Sequence, residues 1–233
     1  MRQILYFTFS VIFLFCLSES FAQKDSLINR GFRVGFDMSK IILPFFFPET
    51  KGYEILADLQ VSDKIFIAGE YGIGRAKLTT DSYNFNYNLS GTYVKLGIDK
   101  NVLKKNEGAE NDIFFVGARY SFSSFKHKAN NINIEDDHWD DLTGAETDEF
   151  FQKAHWIDVV VGIKTELLKN FYLGWTIRGM IKIRMKENNI MTPYIIPGFG
   201  KGSNKSAFGF NYSIYYKIPV KLPAKEKSKK EKT

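Results

Sequence analysis

Residues 172–186 read Tyr-Leu-Gly-Trp-Thr-Ile-Arg-Gly-Met-Ile-Lys-Ile-Arg-Met-Lys, and this stretch decides the fold class. From residue 173 onward the odd positions are apolar except Gly179, and the even positions are glycine, threonine, arginine or lysine except Met180. Side chains alternate between the two faces of a strand, so this period of two predicts a β-strand with an apolar face and a cationic face. The stretch is longer than the roughly 9–11 residues that a tilted strand needs to cross a bilayer. It therefore predicts a transmembrane β-strand.

Similar alternation recurs along the chain and predicts an all-β fold, an eight-stranded antiparallel transmembrane β-barrel with a filled polar interior. The predicted strands cover 31–41, 52–61, 65–77, a fourth segment ending near 99, 112–125, 154–167, 172–186 and 207–218. In the fourth segment the apolar parity switches near Gly91, which predicts a bulge or kink. Pro44 and Pro48 bracket three phenylalanines, so strand pairing should stop there and the rings should sit at a membrane interface.

Both ends of the chain differ in composition from the barrel segment, 31–218. Arg2, an apolar run over 4–17 and the sequence Ser20-Phe21-Ala22 predict a signal peptide over 1–22, followed by a polar linker over 23–30. Removal of this peptide would take away Cys16, the single cysteine, so the exported protein would contain no disulfide. The lysine-rich segment 219–233 is predicted to be a disordered tail.

The lengths of the predicted connections favour a location in the cell outer membrane. If the chain starts in the periplasm, the connections at 62–64, 100–111 and 168–170 are periplasmic, and those at 42–51, 78–87, 126–153 and 187–205 are external. Two of the three periplasmic turns are tight and the two longest loops are external, as is usual for outer-membrane barrels. The alternative is a soluble eight-stranded calyx. The aromatic-rich apolar face and the absence of disulfides argue against it.

The inward-facing positions carry many charges, seven of each sign. They are Arg33, Lys95, Arg119, Lys164, Arg178, Lys182 and Arg184 against Asp37, Glu54, Asp58, Glu70, Asp99, Asp158 and Glu166. An eight-stranded barrel is just wide enough to be filled by side chains, so these charges should pair with one another and leave no open pore. The sharper alternative is a small polar ligand site or a proton path, and its most specific form is an anion site at the external end of the 172–186 strand, near Arg184 and Lys186.

The sequence offers few catalytic candidates. His127, His138 and His155 flank or occupy the longest loop, and His127 or His155 could pair with Ser123 or Ser124. There is no Gly-x-Ser-x-Gly motif, so a non-enzymatic protein is predicted, with a rim enzyme acting on lipid or peptide as the alternative. The acidic run 136–141 could bind a divalent cation, but it lacks the residue spacing of an EF-hand and is predicted to be a solvated loop. No catalytic residue, metal site or cofactor is predicted.

Four features of the sequence are shared with a known family: 31–37 (Gly-Phe-Arg-Val-Gly-Phe-Asp), 91–99 (Gly-Thr-Tyr-Val-Lys-Leu-Gly-Ile-Asp), 117–120 and the spacing of Gly174, Arg178 and Lys182. On these residues, and across nearly the whole exported part, the sequence resembles small outer-membrane β-barrel proteins of Bacteroidota in a family of unknown function. The resemblance implies a barrel fold but no catalytic or ligand-binding residue. The expected partners are outer-membrane lipid and the barrel assembly machinery, with an unidentified external or periplasmic partner and no nucleic acid. The predicted role is structural, or binding and adhesion through the loops.

Overall fold

The computed structural model describes residues 31–79, 85–103, 111–134, 142–185 and 191–219. The predicted signal peptide and linker, the tail from residue 220, the acidic run, His138 and Lys186 lie outside these ranges. No helix within them is long and apolar enough to cross a membrane.

Eight strands close into one barrel in which every neighbouring pair is antiparallel. They are β1 (Gly31–Asp37), β2 (Thr50–Gln60), β3 (Ile65–Leu78), β4 (Asn86–Asn101), β5 (Ile113–Asn130), β8 (Phe150–Leu168), β9 (Phe171–Met185) and β12 (Ser206–Pro219). Each strand pairs with the next barrel strand along the chain, and β12 pairs with β1 to close the ring. This confirms the predicted all-β, eight-stranded antiparallel barrel.

The remaining elements lie mainly at one end of the barrel, which we call the loop end. Helix α1 (Met38–Phe46) follows β1, β6 (Ile132–Ile134) pairs with β7 (Leu142–Ala145), and β10 (Ile195–Ile196) pairs with β11 (Gly200–Lys201). The opposite end, the turn end, carries the connections after β2, β4 and β8. The turn at 62–64 is closed by Val61 and Ser62, whose backbone N–H groups both donate to the carbonyl of Ile65.

The predicted first strand is too long, because residues 38–41 are helical. The Asp37 carboxylate accepts a hydrogen bond of 2.9 Å from the backbone N–H of Ser39, which satisfies a free donor at the helix start. Strand pairing consequently ends at Asp37, before the prolines, and Pro44 lies inside the helix. No residue of α1 is buried, and Phe45 is 83% exposed.

The predicted bulge near Gly91 is wrong. The registers of β4 with β3 and with β5 run through Gly91 without a shift. What changes there is the interior, because Tyr87 and Leu89 point inward and are buried while Asn88 and Ser90 lie on the outer face. The strand therefore stays regular while the lumen turns from charged to apolar.

The bulge that the structure does contain lies in β9, the strand quoted first. His155 of β8 pairs with Arg184 and Trp156 pairs with Lys182, so Ile183 is an extra residue between them. An extra residue reverses the facing of the strand beyond it. Arg184 therefore lies exposed on the outer face and not in the lumen, which corrects its predicted inward position.

Strands β5 and β8 extend into the predicted long loop at 126–153. They continue to pair as far as His127 and Phe150, with inward side chains that are buried and outward side chains that are mostly polar. The alternation reverses its polarity in this part, which is why the sequence pattern placed the strand ends too early.

The bulge yields a prediction with an internal control. Deletion of Ile183 removes the extra residue and leaves every other β9 side chain on its own face, so the free energy of unfolding should stay within about 1 kcal/mol of the parent. Deletion of Ile177, which is paired with Val161, shifts the residues that follow it by one position and so moves Arg178 to the outer face. The shift continues along β9 as far as the bulge at Ile183. We expect that deletion to lower the free energy of unfolding by at least about 2–4 kcal/mol.

Urea unfolding of the refolded barrel in detergent micelles, followed by tryptophan fluorescence, measures both values. Equal losses for the two deletions would contradict the assignment of Ile183 as the bulged residue.

Candidate functional site

The middle of the lumen is a network of ion pairs centred on Glu70 of β3. Its carboxylate lies 2.8 Å from Arg178 Nη1, 3.2 Å from Lys95 Nζ and 3.5 Å from Arg119 Nε. These cations come from β9, β4 and β5, so one acid links neighbouring and opposite walls of the barrel. All four side chains are at most 7% exposed, so each charge is compensated by its partners and not by water.

The network continues from Glu70 toward the turn end through two aspartates. Arg119 Nη1 lies 2.7 Å from Asp99, and Lys164 Nζ lies 4.0 Å from Asp99 and 2.6 Å from Asp58. Arg33 of β1 completes this series of ion pairs, with its Nη2 2.7 Å from Asp58 Oδ1. The predicted salt-bridged interior is thus confirmed for these residues.

Toward the loop end, the network ends in mixed polar contacts. The Tyr93 hydroxyl donates to Glu54, whose carboxylate also lies 3.5 Å from Lys95 Nζ. The Asn211 amide donates to Asp37, which connects β12 with the end of β1. These contacts satisfy the acids nearest to the place where β1 ends.

Eleven of the fourteen charges predicted to face inward are buried. The exceptions are Arg184, which the bulge turns outward, and Lys182 and Glu166, which lie near the ends of the barrel. Lys182 is half-buried and donates to the carbonyl of Gly202 at 2.5 Å. Glu166 accepts from the backbone N–H of Asn170 at 2.7 Å and so fixes the turn between β8 and β9. Lys217 is buried as well and was not counted among the inward charges.

The loop at 187–205 was predicted to be external, but much of its described part, 191–205, fills the lumen above the ion pairs. Ile196 and Phe199 are buried, and the Phe199 ring packs edge-on against Trp156 with centroids 5.6 Å apart. The backbone N–H of Tyr194 donates to the Tyr87 hydroxyl at 3.1 Å. We call residues 194–201 the plug. It packs against the apolar side chains that line the loop-end half of the lumen.

An aromatic and aliphatic layer closes the lumen at the turn end. Phe66, Ile113, Phe115 and Val160 form one buried cluster, and Leu56, Tyr172 and Tyr215 form another. Lys164 Nζ lies 4.8 Å from the ring centroids of Phe115 and Tyr215, which joins this layer to the ion pairs. The cavity left beside the charged layer is only about 10 Å³, no more than one water needs.

The two described histidines point to opposite sides of the wall. His127 is buried in the lumen, whereas His155 is on the outer face, where its Nδ1 lies 2.8 Å from the Tyr120 hydroxyl. Ser123 is inward and donates to the carbonyl of Thr92, and it lies on the same strand as His127 at a distance of ~13 Å. Within the described ranges, no hydrogen bond joins a serine to a histidine.

The described residues also contain no group of three or more histidine, cysteine, aspartate or glutamate side chains arranged to hold a metal ion. The acidic run proposed as a solvated loop lies outside these ranges.

At the turn end, burial raises the pKa of the Asp112 carboxyl, which accepts from the backbone N–H of Glu166 at 3.1 Å.

One feature of the wall was not predicted from the sequence. Because β1 is short, it pairs with β12 only over 213–219 and with β2 only over 55–59. Above it, a cavity of about 670 Å³ lies between β2, β12, α1 and the plug. No sequence pattern marks it, because the alternation of apolar and polar residues continues to Ser39, two residues beyond the end of β1.

The sequence profile of DUF6048, a domain of unknown function, matches residues 2–222. A comparison with curated proteins gives no match. The predicted Bacteroidota origin stays a prediction.

Three crystal structures show a likeness in fold. Acinetobacter baumannii CarO2 is 14% identical, with 83% of this chain and 100% of that chain covered and a TM-score of 0.43. A major outer membrane protein from Thermus thermophilus is 9% identical, with 82% and 98% covered and a TM-score of 0.45. Acinetobacter baumannii CarO is 12% identical, with 83% and 99% covered and a TM-score of 0.39.

The plug gives a prediction that separates packing from backbone strain. Gly198 and Gly144 adopt φ angles of +78° and +71°, so alanine at either position carries a similar backbone penalty of about 1 kcal/mol. A Cβ on Gly198 would meet the Tyr93 ring at 2.6 Å, whereas one on Gly144 would meet nothing within 4 Å.

We therefore expect Gly198→Ala to lower the free energy of unfolding by about 1–3 kcal/mol more than Gly144→Ala does. Equilibrium unfolding in detergent micelles measures the difference. Equal effects would mean that the plug does not pack on Tyr93.

Proposed function

We propose that this chain, which belongs to the DUF6048 family, is a non-enzymatic integral protein of the cell outer membrane that has no open pore and acts structurally or by binding at its loop end. The proposed orientation puts the loop end outside the cell and the turn end in the periplasm. Its partners would be outer-membrane lipid, the barrel assembly machinery and a ligand of the loop end.

The observation that carries the proposal is a belt of aliphatic side chains on the outer wall. Leu96 and Ile98 of β4 are 60% and 58% exposed, and Val159 of β8 is 53% exposed. Isoleucine, valine, leucine and aromatic side chains occupy equivalent outward positions on every barrel strand. A soluble protein rarely exposes so large an apolar surface, whereas lipid solvates it. The belt therefore favours a membrane barrel over a soluble calyx.

The filled lumen supports the absence of a pore. Charged, apolar and aromatic layers succeed one another along the barrel, and the plug occupies the upper layer. An eight-stranded barrel has room for little else. Ion conduction would require the Glu70 network to open, and that would leave buried charges without partners.

The loop end supports a binding role better than a catalytic one. Above the belt, Lys51 of β2 and Arg75 of β3 are directly paired on the outer face, and Lys126 of β5, which forms an ion pair with Glu149, follows across β4. Such a basic surface is typical of contact with anionic groups. The described histidines have no serine partner there, so nothing favours the rim-enzyme alternative.

Two measurements test the proposal. In a diderm bacterial host, the full chain should fractionate with the outer membrane, and the barrel should migrate differently on gels before and after boiling. In planar bilayers, the purified protein should show no stable conductance above that of the bilayer. Recovery in the soluble fraction would overturn the membrane location, and stable open channels would overturn the filled lumen.

A further inference from the structure

The barrel wall has a lateral opening in its loop-end half. Residues 206–212 of β12 pair with β9 on one side, but their other edge has no strand partner in the part of the chain that the structure describes. Residues 50–54 of β2 likewise pair with β3 alone. The missing stretch of wall is the continuation that β1 would supply if it did not end at Asp37.

Helix α1 begins directly after β1 and so lies next to this opening. It lies against both β2 and β12, yet none of its residues is buried. Its apolar side chains, Ile42 and Phe45 among them, are exposed on the outside of the barrel. A helix that is apolar and uncovered next to an open sheet edge is typical of a segment in contact with lipid.

The cavity at this place is bordered by residues of both faces of the barrel wall. On β12 it is lined by Phe208 and Phe210, which point outward, and also by Asn211, which points inward. Residues from both faces of β12 therefore border one cavity, beside the edge of β12 that has no strand partner. Its inner part reaches Arg178 and Met180 on β9, the strand next to β12.

The lining is apolar with a strong excess of positive charge. It contains six basic residues and no acidic residue, the basic ones being Lys40, Lys51, Arg75, Lys95, Arg178 and Lys201. Lys95 and Arg178 are neutralised by the Glu70 network. Lys51, Arg75 and Lys201 form no salt bridge within the described residues. Net positive charge at the mouth of an apolar cavity is complementary to an amphiphile with an anionic head.

We propose that this opening is a lateral binding site for an acyl lipid of the surrounding membrane whose phosphate headgroup carries a net negative charge. The phosphate lies against Lys51 and Arg75, which are directly paired across β2 and β3 at the rim of the opening. The acyl chain lies along the apolar lining formed by Leu43, Met180 and Phe208. The cavity volume of about 670 Å³ is in the usual range for a small-molecule site. This inference rests on the proposed membrane location and adds the ligand class and the place where it binds.

The lipid belongs to one of two sources, a glycerophospholipid or lipid A, which share the phosphate and the acyl chains. The test uses the full-length protein in phosphatidylcholine vesicles that contain a trace of phosphatidylglycerol with a photoreactive diazirine on one acyl chain. Crosslinked peptides are mapped by mass spectrometry. We expect the label to be concentrated in residues 38–54 and 206–212, with much less on the β4 and β5 belt. Competition with unlabelled phosphatidylglycerol and with lipid A then distinguishes the two sources.

The matched variants are Lys51→Glu/Arg75→Glu at the opening and Lys153→Glu/Arg184→Glu on the outer faces of β8 and β9, where neither residue lines the cavity. Both reverse two charges, but the second pair lies away from the opening. The first pair should reduce labelling of the opening about tenfold, as expected for two exposed charge-assisted contacts, and the second should leave it unchanged.

The boiled and unboiled gel mobility of the same samples reports whether the barrel is inserted. An inserted wild-type barrel whose label is spread evenly around the belt would overturn the lateral site and leave the membrane location standing. Equal labelling by diazirine phosphatidylcholine, with no effect of Lys51→Glu/Arg75→Glu, would also overturn it. A protein that fails to insert would overturn both.

Discussion

The compensation of buried charge in the lumen is the constraint on which the rest of the structure depends. Glu70 has contacts of 2.8 to 3.5 Å with three cations from three strands, and removal of any one of them leaves an uncompensated charge among side chains that are at most 7% exposed. The ion pairs therefore fix which residue of each strand faces the others. Once that register is fixed, every second side chain of each strand must point outward. In the belt these outward side chains are aliphatic.

The ion pairs also explain what lies above and below them. Charges occupy the middle of the lumen, so the layers toward each end are free to be apolar, and the plug and the turn-end clusters fill them. Toward the loop end the polarity is reversed, with Tyr87 and Leu89 inside and polar residues outside. A barrel that rises above a membrane needs this reversal, because its outer face there meets water and its inner face must pack.

Much of this was readable from period-two alternation, which predicted the strand count, the antiparallel order and most of the inward charges. Alternation failed where a local event changed the facing or the conformation. A single extra residue at Ile183 turned Arg184 outward, and the Asp37 side chain started a helix where the pattern continued as a strand. The plug and the lateral opening depend on contacts between distant segments, such as Tyr194 with Tyr87, which no local pattern encodes.

A double-mutant cycle on Glu70 and Arg178 measures the central interaction most directly. Unfolding of Glu70→Gln, Arg178→Met and the double variant in detergent micelles gives their coupling free energy, with the exposed pair Lys126–Glu149 as reference. A lumen organised by compensated charge predicts a coupling of about 2–3 kcal/mol for the buried pair and below about 0.5 kcal/mol for the exposed pair. A buried coupling as small as the exposed one would contradict the account.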